Sequence, residues 1–242
     1  KLDSFYRIQV ARGFNGSVLI GYHGQIIYER YFGYADKSTG RKLSPDAGVQ
    51  LASTSKTFTG TAIMYLHQHK YLNIDHKVQT YIPNFPYANV TIKMLLNHRS
   101  GIPDYLKWYG RYRKNTMSPV YNDDIMSLFA IHKPALEFVP NTRFKYSNSN
   151  YAILARLIEE VTEMNYRDFM QQYIFEPLGM KNSFVYDPAY GLPGKATKSY
   201  RADWVEYPIV FSDGVYGDKG IYSTVRDMYK WDQSFYNYEF LD

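Results

Sequence analysis

The chain is predicted to adopt an α+β fold with a mostly helical second lobe, on the evidence of three observations. Strand-like segments come first, within residues 16–32. The long stretch 73–201 is mainly helical with irregular links, and the chain then returns to the first lobe. We therefore expect residues 1–56 and 205–242 to form an α/β lobe. Residues 57–204 form the mostly helical lobe of the same domain.

The first lobe is expected to begin with a helix and a hairpin. Residues 2–13 can form an amphipathic helix. Residues 16–20 (GSVLI) and 25–32 (QIIYERYF) are typical of strands, and His23-Gly24 between them predicts a hairpin turn. A polar loop then leads to residues 50–52.

Helices account for most of the remaining chain. A helix beginning at Ser53 is expected to run to about His69, and its segment 57–66 (TFTGTAIMYL) is apolar enough to be buried. Ser223 or Thr224 is expected to cap the last helix. The other predicted helices cover residues 123–131, 148–163 and 166–175. The helix over 148–163 has the clearest pattern, with apolar residues on one side: Ile153, Leu154, Leu157, Ile158 and Val161.

Composition excludes several kinds of chemistry. The chain has no Cys, so disulfides, thiol catalysis and Cys-based zinc sites are excluded. No segment approaches the roughly 20 apolar residues of a membrane span. His67, His69 and His76 lie near Asp75, but His67 and His69 diverge on a helix, so neither a metal site nor a cofactor is expected.

The net charge of +5 is diffuse, with one concentration over residues 107–114 (KWYGRYRK). Basic residues interleaved with aromatic ones can bind a polyanion, and this is the most distant functional alternative. A solvated loop near the mouth of a cleft is the simpler interpretation. No nucleic-acid partner is therefore expected.

The most informative motif is Ser-x-x-Lys, formed by Ser53 and Lys56 and found once in the chain. On a helix these positions share one face, about 5–6 Å apart at Cβ. A nucleophilic serine needs a nearby base, and a lysine whose charged form is disfavoured by its surroundings can be that base. The alternative is a serine that caps the helix, followed by a solvated lysine one turn later.

A second motif is Tyr146-Ser147-Asn148, a Tyr-x-Asn pair directly before the strongly patterned helix. A tyrosine near cations can carry a proton, and an asparagine amide can contact both a substrate carbonyl and a lysine. Residues 71–73 and 87–89 match the same pattern. A proline-containing loop before Tyr146 and the helix after it favour the match at Tyr146.

Beyond these motifs, the chain resembles the serine β-lactamase and penicillin-binding-protein superfamily. The closest likeness is to the group of class C β-lactamases, D-alanyl-D-alanine carboxypeptidases and family VIII esterases, and Ser-x-x-Lys occurs in related enzymes. The segments that carry the resemblance span nearly the whole chain in the expected order: 16–20, 51–59, 91–103, 144–148, 174–180 and 217–224.

The resemblance implies a β-lactamase/transpeptidase-like fold, in which an antiparallel sheet is flanked by helices beside a mostly helical lobe. It also implies a serine hydrolase that forms an acyl-enzyme. Ser53 would be the nucleophile, Lys56 its base, Tyr146 a second proton carrier and Asn148 a substrate-binding residue. Substrates would be D-amino-acid peptides, β-lactams or small esters, and these residues do not separate the three. The resemblance, and the absence of an initiator Met at Lys1, predict a periplasmic or otherwise extracytoplasmic protein.

The sequence departs from the family in one respect. A third motif, Lys-Thr-Gly or His-x-Gly, is expected on a strand after the last helix, and it is not found in the 242 residues. We therefore expect the C-terminal strands to be absent from this chain, together with one of two oxyanion N–H donors. Another chain or a swapped element is then a possible partner that completes the sheet. The competing hypotheses are a non-catalytic binding or scaffold protein on the same fold, and an inactive fragment that lacks the third motif.

Overall fold

A computed structural model describes residues 1–112, 118–237 and 241. Helices pack beside small antiparallel sheets, which confirms the α+β class. The predicted basic segment 107–114 lies partly outside the described residues.

Seven short strands form three sheets rather than one in the described part of the chain. The strands are β1 Gly16–Tyr22, β2 Gln25–Phe32, β3 Tyr34–Asp36, β4 Arg41–Lys42, β5 Val49–Gln50, β6 Phe184–Val185 and β7 Ile221–Ser223. The sheets are β1-β2, β3-β4 and β5-β7-β6, all antiparallel. The predicted hairpin turn is present: His23 and Gly24 have φ of 47° and 73°, as a two-residue type I′ turn requires.

The predicted helices are present, with two differences. The α-helices are α1 Leu2–Ala11, α2 Ser55–Gln68, α3 Ile92–Leu96, α4 Tyr105–Trp108, α5 Asn122–His132, α6 Asn148–Thr162, α7 Tyr166–Met170 and α8 Val225–Ser234. The helix predicted over 166–175 becomes a π-helical turn at Gln171–Phe175. The prediction that Ser53 begins the α-helix is wrong, because a 3₁₀ turn, Ala52–Thr54, precedes α2.

The division into two lobes stays a prediction. Strand β6 falls within the range predicted for the helical lobe, yet it pairs with β7 of the other lobe. Short 3₁₀ turns complete the described elements: Val78–Thr80, Tyr109–Arg111 and Phe211–Asp213.

The main core joins α2 to α6 and extends to α8. Phe58 of α2 is fully buried and stacks on Trp231 of α8, with ring centroids 4.0 Å apart. The apolar side of α6, including Ile153 and Leu157, is buried in the same cluster. Because α2 and α6 pack together here, their N-terminal ends meet at one place, where Lys56 contacts Asn148.

Within residues 1–112, 118–237 and 241, no helix has both the length and the apolar character needed to cross a lipid bilayer. The extracytoplasmic location stays a prediction.

Candidate active site

Ser53 lies in the turn between β5 and α2. The backbone of Leu51 is tied to β7, since its N–H donates to the carbonyl of Ile221 at 2.9 Å. Ala52 then takes a φ of 48°, which is uncommon for a residue with a side chain and marks a sharp change of direction. The chain enters the 3₁₀ turn here and leaves the Ser53 side chain exposed.

The Ser53 hydroxyl contacts two proton-carrying groups. The Tyr146 hydroxyl donates to Ser53 Oγ at 2.9 Å, and Lys56 Nζ lies 3.3 Å from the same oxygen. The two partners approach from different elements, Lys56 from α2 and Tyr146 from the segment before α6.

Lys56 is buried, with 7% of its surface exposed. Its Nζ donates to Asn148 Oδ1 at 2.9 Å and to the backbone carbonyl of Asp218 at 2.6 Å. The interpretation of Ser53 as a helix cap with a solvated lysine is therefore wrong. Lys56 is enclosed, and the N-cap residue of α2 is Thr54.

The structure separates the three Tyr-x-Asn matches. Tyr146 contacts Ser53, and its ring also lies 4.9 Å from Lys56 Nζ. Tyr71 is 60% exposed at the surface. Tyr87 is buried, and its hydroxyl donates to the carbonyl of Pro134 at 2.7 Å. Of these matches, the one at Tyr146 alone brings its residues to Ser53.

The Asn148 side chain is held at both ends by protein groups. Its Oδ1 accepts from Lys56, while its Nδ2 donates to Asp104 Oδ2 at 2.9 Å. One amide hydrogen is thus used within the protein. All four residues singled out in the sequence are adjacent: Ser53, Lys56, Tyr146 and Asn148.

His98 is a neighbour of the site that sequence reasoning did not select, although it lies in the family-like segment 91–103. Its ring centroid is 4.5 Å from that of Tyr146. Its Nδ1 accepts from the backbone N–H of Ser147 and is 3.1 Å from Asn150 Nδ2. Burial, together with the nearby Lys56, lowers the pKa of His98 to about 4. The imidazole is therefore neutral at physiological pH and packs against Tyr146 without adding charge.

Asp218 is a second neighbour that was not selected from the sequence. It is 1% exposed, and its Oδ2 accepts from the Tyr105 hydroxyl at 3.0 Å. Oδ1 has no hydrogen-bond partner among the described residues. Burial raises the pKa of Asp218 to about 6, against the opposing effects of Lys219 and Lys56.

Replacing His98 by asparagine is expected to flatten the dependence of stability on pH. Because the pKa of His98 is lowered on folding, the unfolded chain binds more protons between about pH 4 and 6.5. Its contribution to stability is therefore present above pH 6.5 and is lost as pH falls toward 4, on the order of 1–2 kcal/mol. Asparagine offers an acceptor in place of Nδ1 and tolerates the φ of 54° at this position.

Chemical denaturation of both proteins at pH 4.5 and 7.5 measures this effect. Asp218 acts in the opposite direction, since a raised carboxyl pKa costs stability as pH rises toward 6. Asp218 is present in both wild type and His98→Asn. The difference between their pH dependences of stability therefore reports on His98. The exposed His76→Asn is the matched control, and an equal pH dependence in wild type and His98→Asn would contradict the prediction.

No group of three or more His, Cys, Asp or Glu side chains that could hold a metal ion occurs in the described ranges. His67 and His69 each place Nδ1 near a backbone carbonyl, that of Leu72 at 3.3 Å and that of Tyr65 at 2.9 Å.

Comparison with known proteins gives the family. The Beta-lactamase family model matches residues 8–238. Penicillin-binding protein 4* of Bacillus subtilis is 35% identical, over 94% of this chain and 53% of its own length. A D-aminopeptidase of Brucella anthropi is 27% identical, over 96% of this chain and 45% of its own length.

A solved structure supports the same assignment. The penicillin-binding protein from Bacillus halodurans has a TM-score of 0.87 to this chain at 26% identity, covering 98% of this chain and 74% of that one. The chain spans about half the length of the two curated relatives. It belongs to the Beta-lactamase family, a family of serine hydrolases.

Proposed function

We propose that the protein is a serine hydrolase that forms an acyl-enzyme on Ser53. The observation that carries the proposal is the arrangement around Ser53 Oγ. This exposed hydroxyl lies within hydrogen-bonding distance of both Lys56 Nζ and the Tyr146 hydroxyl. A nucleophile beside its base, with a second proton carrier on the same oxygen, is the arrangement that acyl transfer requires.

The partners of Lys56 define the directions around its Nζ. Two of them, Asn148 Oδ1 and the Asp218 carbonyl, are oxygens that only accept hydrogen bonds. The proposed role requires the neutral amine, which has two N–H groups for these oxygens and one lone pair. In that form the lone pair faces Ser53 Oγ, 3.3 Å away, and can accept its proton.

The proposed reaction uses these two groups around Ser53 Oγ. Ser53 Oγ attacks the substrate carbonyl carbon, and its proton passes to Lys56. A C–O bond forms and the carbonyl oxygen becomes an oxyanion. When the C–N or C–O bond to the leaving group breaks, Tyr146 supplies a proton to the departing atom and recovers one from Lys56. Water then attacks the acyl carbon and gives a proton to Lys56. The bond between that carbon and Oγ breaks, and Oγ takes the proton from Lys56, which releases a carboxylic acid and free Ser53.

The backbone N–H of Ser53 supplies one oxyanion donor in this proposal. It lies in the first turn of a helical segment, where backbone N–H groups have no partner within the helix. The positive ends of the α2 and α6 dipoles also meet here and favour negative charge.

The proposed substrates are D-amino-acid peptides, β-lactams or small esters. The names of the relatives, penicillin-binding protein and D-aminopeptidase, support the first two classes. Hydrolysis assays with a D-alanyl-D-alanine peptide, nitrocefin and a p-nitrophenyl ester separate the classes in the full-length protein. Hydrolysis of any of these substrates that is lost in Ser53→Ala supports the proposal. A wild-type protein that hydrolyses none of the three substrates and takes no acyl label contradicts it.

Replacing Tyr146 by phenylalanine is expected to slow acylation about 100-fold or more, since general acid–base groups contribute about 10²–10⁴-fold. The ring stays, so its packing on His98 is kept, while the hydroxyl that bonds Ser53 is lost. Stopped-flow acylation by a chromogenic ester measures the rate. Tyr71→Phe, which removes the same hydroxyl from another Tyr-x-Asn match, is the control, and equal rates in all three proteins would refute the role.

A further inference from the structure

Two consecutive residues outside the predicted site, Asp104 and Tyr105, each contact one of the two residues whose oxygens bind Lys56. These oxygens come from distant parts of the chain, the Asn148 side chain and the Asp218 backbone. Asp104 and Tyr105 lie at the start of α4, which is close to both.

Asp104 fixes the Asn148 amide. Its Oδ2 accepts from the Asn148 side-chain Nδ2 at 2.9 Å and from the Asn148 backbone N–H at 3.1 Å. A carboxylate can only accept, so it holds the NH₂ end of the amide and leaves the carbonyl end toward Lys56. Without it, the amide could rotate and present its NH₂ group to the lysine. The other oxygen, Oδ1, accepts from the Leu106 N–H at 3.0 Å and caps α4.

Tyr105 fixes the second oxygen through Asp218. Tyr105 is fully buried, and its hydroxyl makes the one hydrogen bond that the Asp218 carboxyl has among the described residues. The backbone carbonyl of the same residue accepts from Lys56 Nζ at 2.6 Å. The backbone of Tyr105 is itself anchored at the start of α6, since its N–H donates to Ser149 Oγ at 2.8 Å.

We infer that Asp104 and Tyr105 are positioning residues that hold both carbonyl oxygens bonded to Lys56 and thereby orient the Lys56 amine toward Ser53. The inference rests on the proposed function, because this orientation matters only if Lys56 takes the Ser53 proton. The amine nitrogen of Lys56 is tetrahedral. With the bond to Cε and two N–H bonds fixed, the direction of its lone pair is fixed as well. Neither residue touches the reacting atoms.

Three substitutions separate positioning from folding. Asp104→Ser keeps one oxygen that can cap α4 but cannot also hold Asn148. Asp104→Asn keeps a carbonyl that can accept both bonds from Asn148 but loses the oxygen that caps α4. Tyr105→Phe keeps the buried ring and removes the bond to Asp218.

The experiment measures phosphonylation of the full-length protein by a fluorophosphonate at several concentrations. We expect the maximal rate constant to fall at least tenfold in Asp104→Ser and Tyr105→Phe, and to recover to within about threefold of wild type in Asp104→Asn. The concentration for half-maximal rate should change little. Asp75→Ser, at an exposed aspartate, is the control, and thermal unfolding confirms that each variant is folded at the assay temperature.

A second readout does not depend on activity. The side-chain amide resonances of Asn148, assigned by ¹⁵N NMR, should shift in Asp104→Ser and stay near their wild-type positions in Asp104→Asn. Wild-type protein that takes no label would refute the proposed function, and the amide resonances would still decide the Asp104 contact. Labelling in wild type, with unchanged rates in Asp104→Ser and Tyr105→Phe, would overturn the positioning role itself.

Discussion

Replacing Lys56 by methionine is expected to lower the rate of acylation by about three orders of magnitude, within the 10²–10⁴-fold range of general acid–base groups. Methionine fills the space of the lysine stem but cannot accept the Ser53 proton. It also leaves Asn148 Oδ1 and the Asp218 carbonyl without their donor. We therefore expect a loss of stability of about 1–3 kcal/mol, from the cost of buried unpaired acceptors.

The two effects are measured separately. Stopped-flow acylation gives the rate, and chemical denaturation gives the free energy of unfolding. The exposed Lys181→Met serves as the matched control, with both quantities expected to stay near wild type. A Lys56→Met protein that is folded and acylated at the wild-type rate would rule out Lys56 as the base.

The second large effect is on stability, at Gly217. Its φ is +93°, and a Cβ there would lie 2.5 Å from both the Tyr151 carbonyl oxygen and the Ala155 Cβ. Gly217→Ala must therefore either strain its backbone or push α6 away. We expect a loss of about 3 kcal/mol or more, from backbone strain and overpacking together. For a chain of this size that lowers Tm by roughly 6–12 °C.

Gly179→Ala is the control for Gly217→Ala. Gly179 also has a positive φ, +61°, but a Cβ there meets nothing within 4 Å. The difference between the free energies of unfolding of the two variants therefore measures the effect of the close approach to α6. Equal stabilities would show that this contact is not close in solution. Because Gly217 precedes Asp218, whose carbonyl binds Lys56, Gly217→Ala should also slow acylation.

The fold could be predicted where the pattern of apolar and polar residues extends over many positions. Helix α6 was predicted because its apolar residues recur on one side from Ile153 to Val161, and the β1-β2 hairpin because two strand-like segments flank a two-residue turn. Strands β5 and β6 were not predicted, since two residues are too few to show an alternating pattern. The 3₁₀ turn at Ser53 depends on a positive φ at Ala52, and alanine gives no sign of that conformation.

The residues that meet in the candidate site could be predicted from the sequence motifs and the family resemblance. The neighbours that hold them in place could not. Asp104 lies 44 residues from Asn148, and Asp218 lies 162 residues from Lys56. Contacts at such separations arise from the packing of α2, α4 and α6, which no local motif encodes. His98 was missed for the same reason, because a buried neutral histidine has no distinguishing neighbours in sequence.

Mass spectrometry of the full-length protein after reaction with a fluorophosphonate tests the central claim most directly. Phosphonylation of Ser53 expels fluoride and passes the hydroxyl proton to the base, so it needs the same nucleophile as acylation. The account predicts one phosphonyl group per chain, located on the peptide that contains Ser53 and absent in Ser53→Ala. Unmodified wild-type protein, or a label that persists in Ser53→Ala, would contradict it.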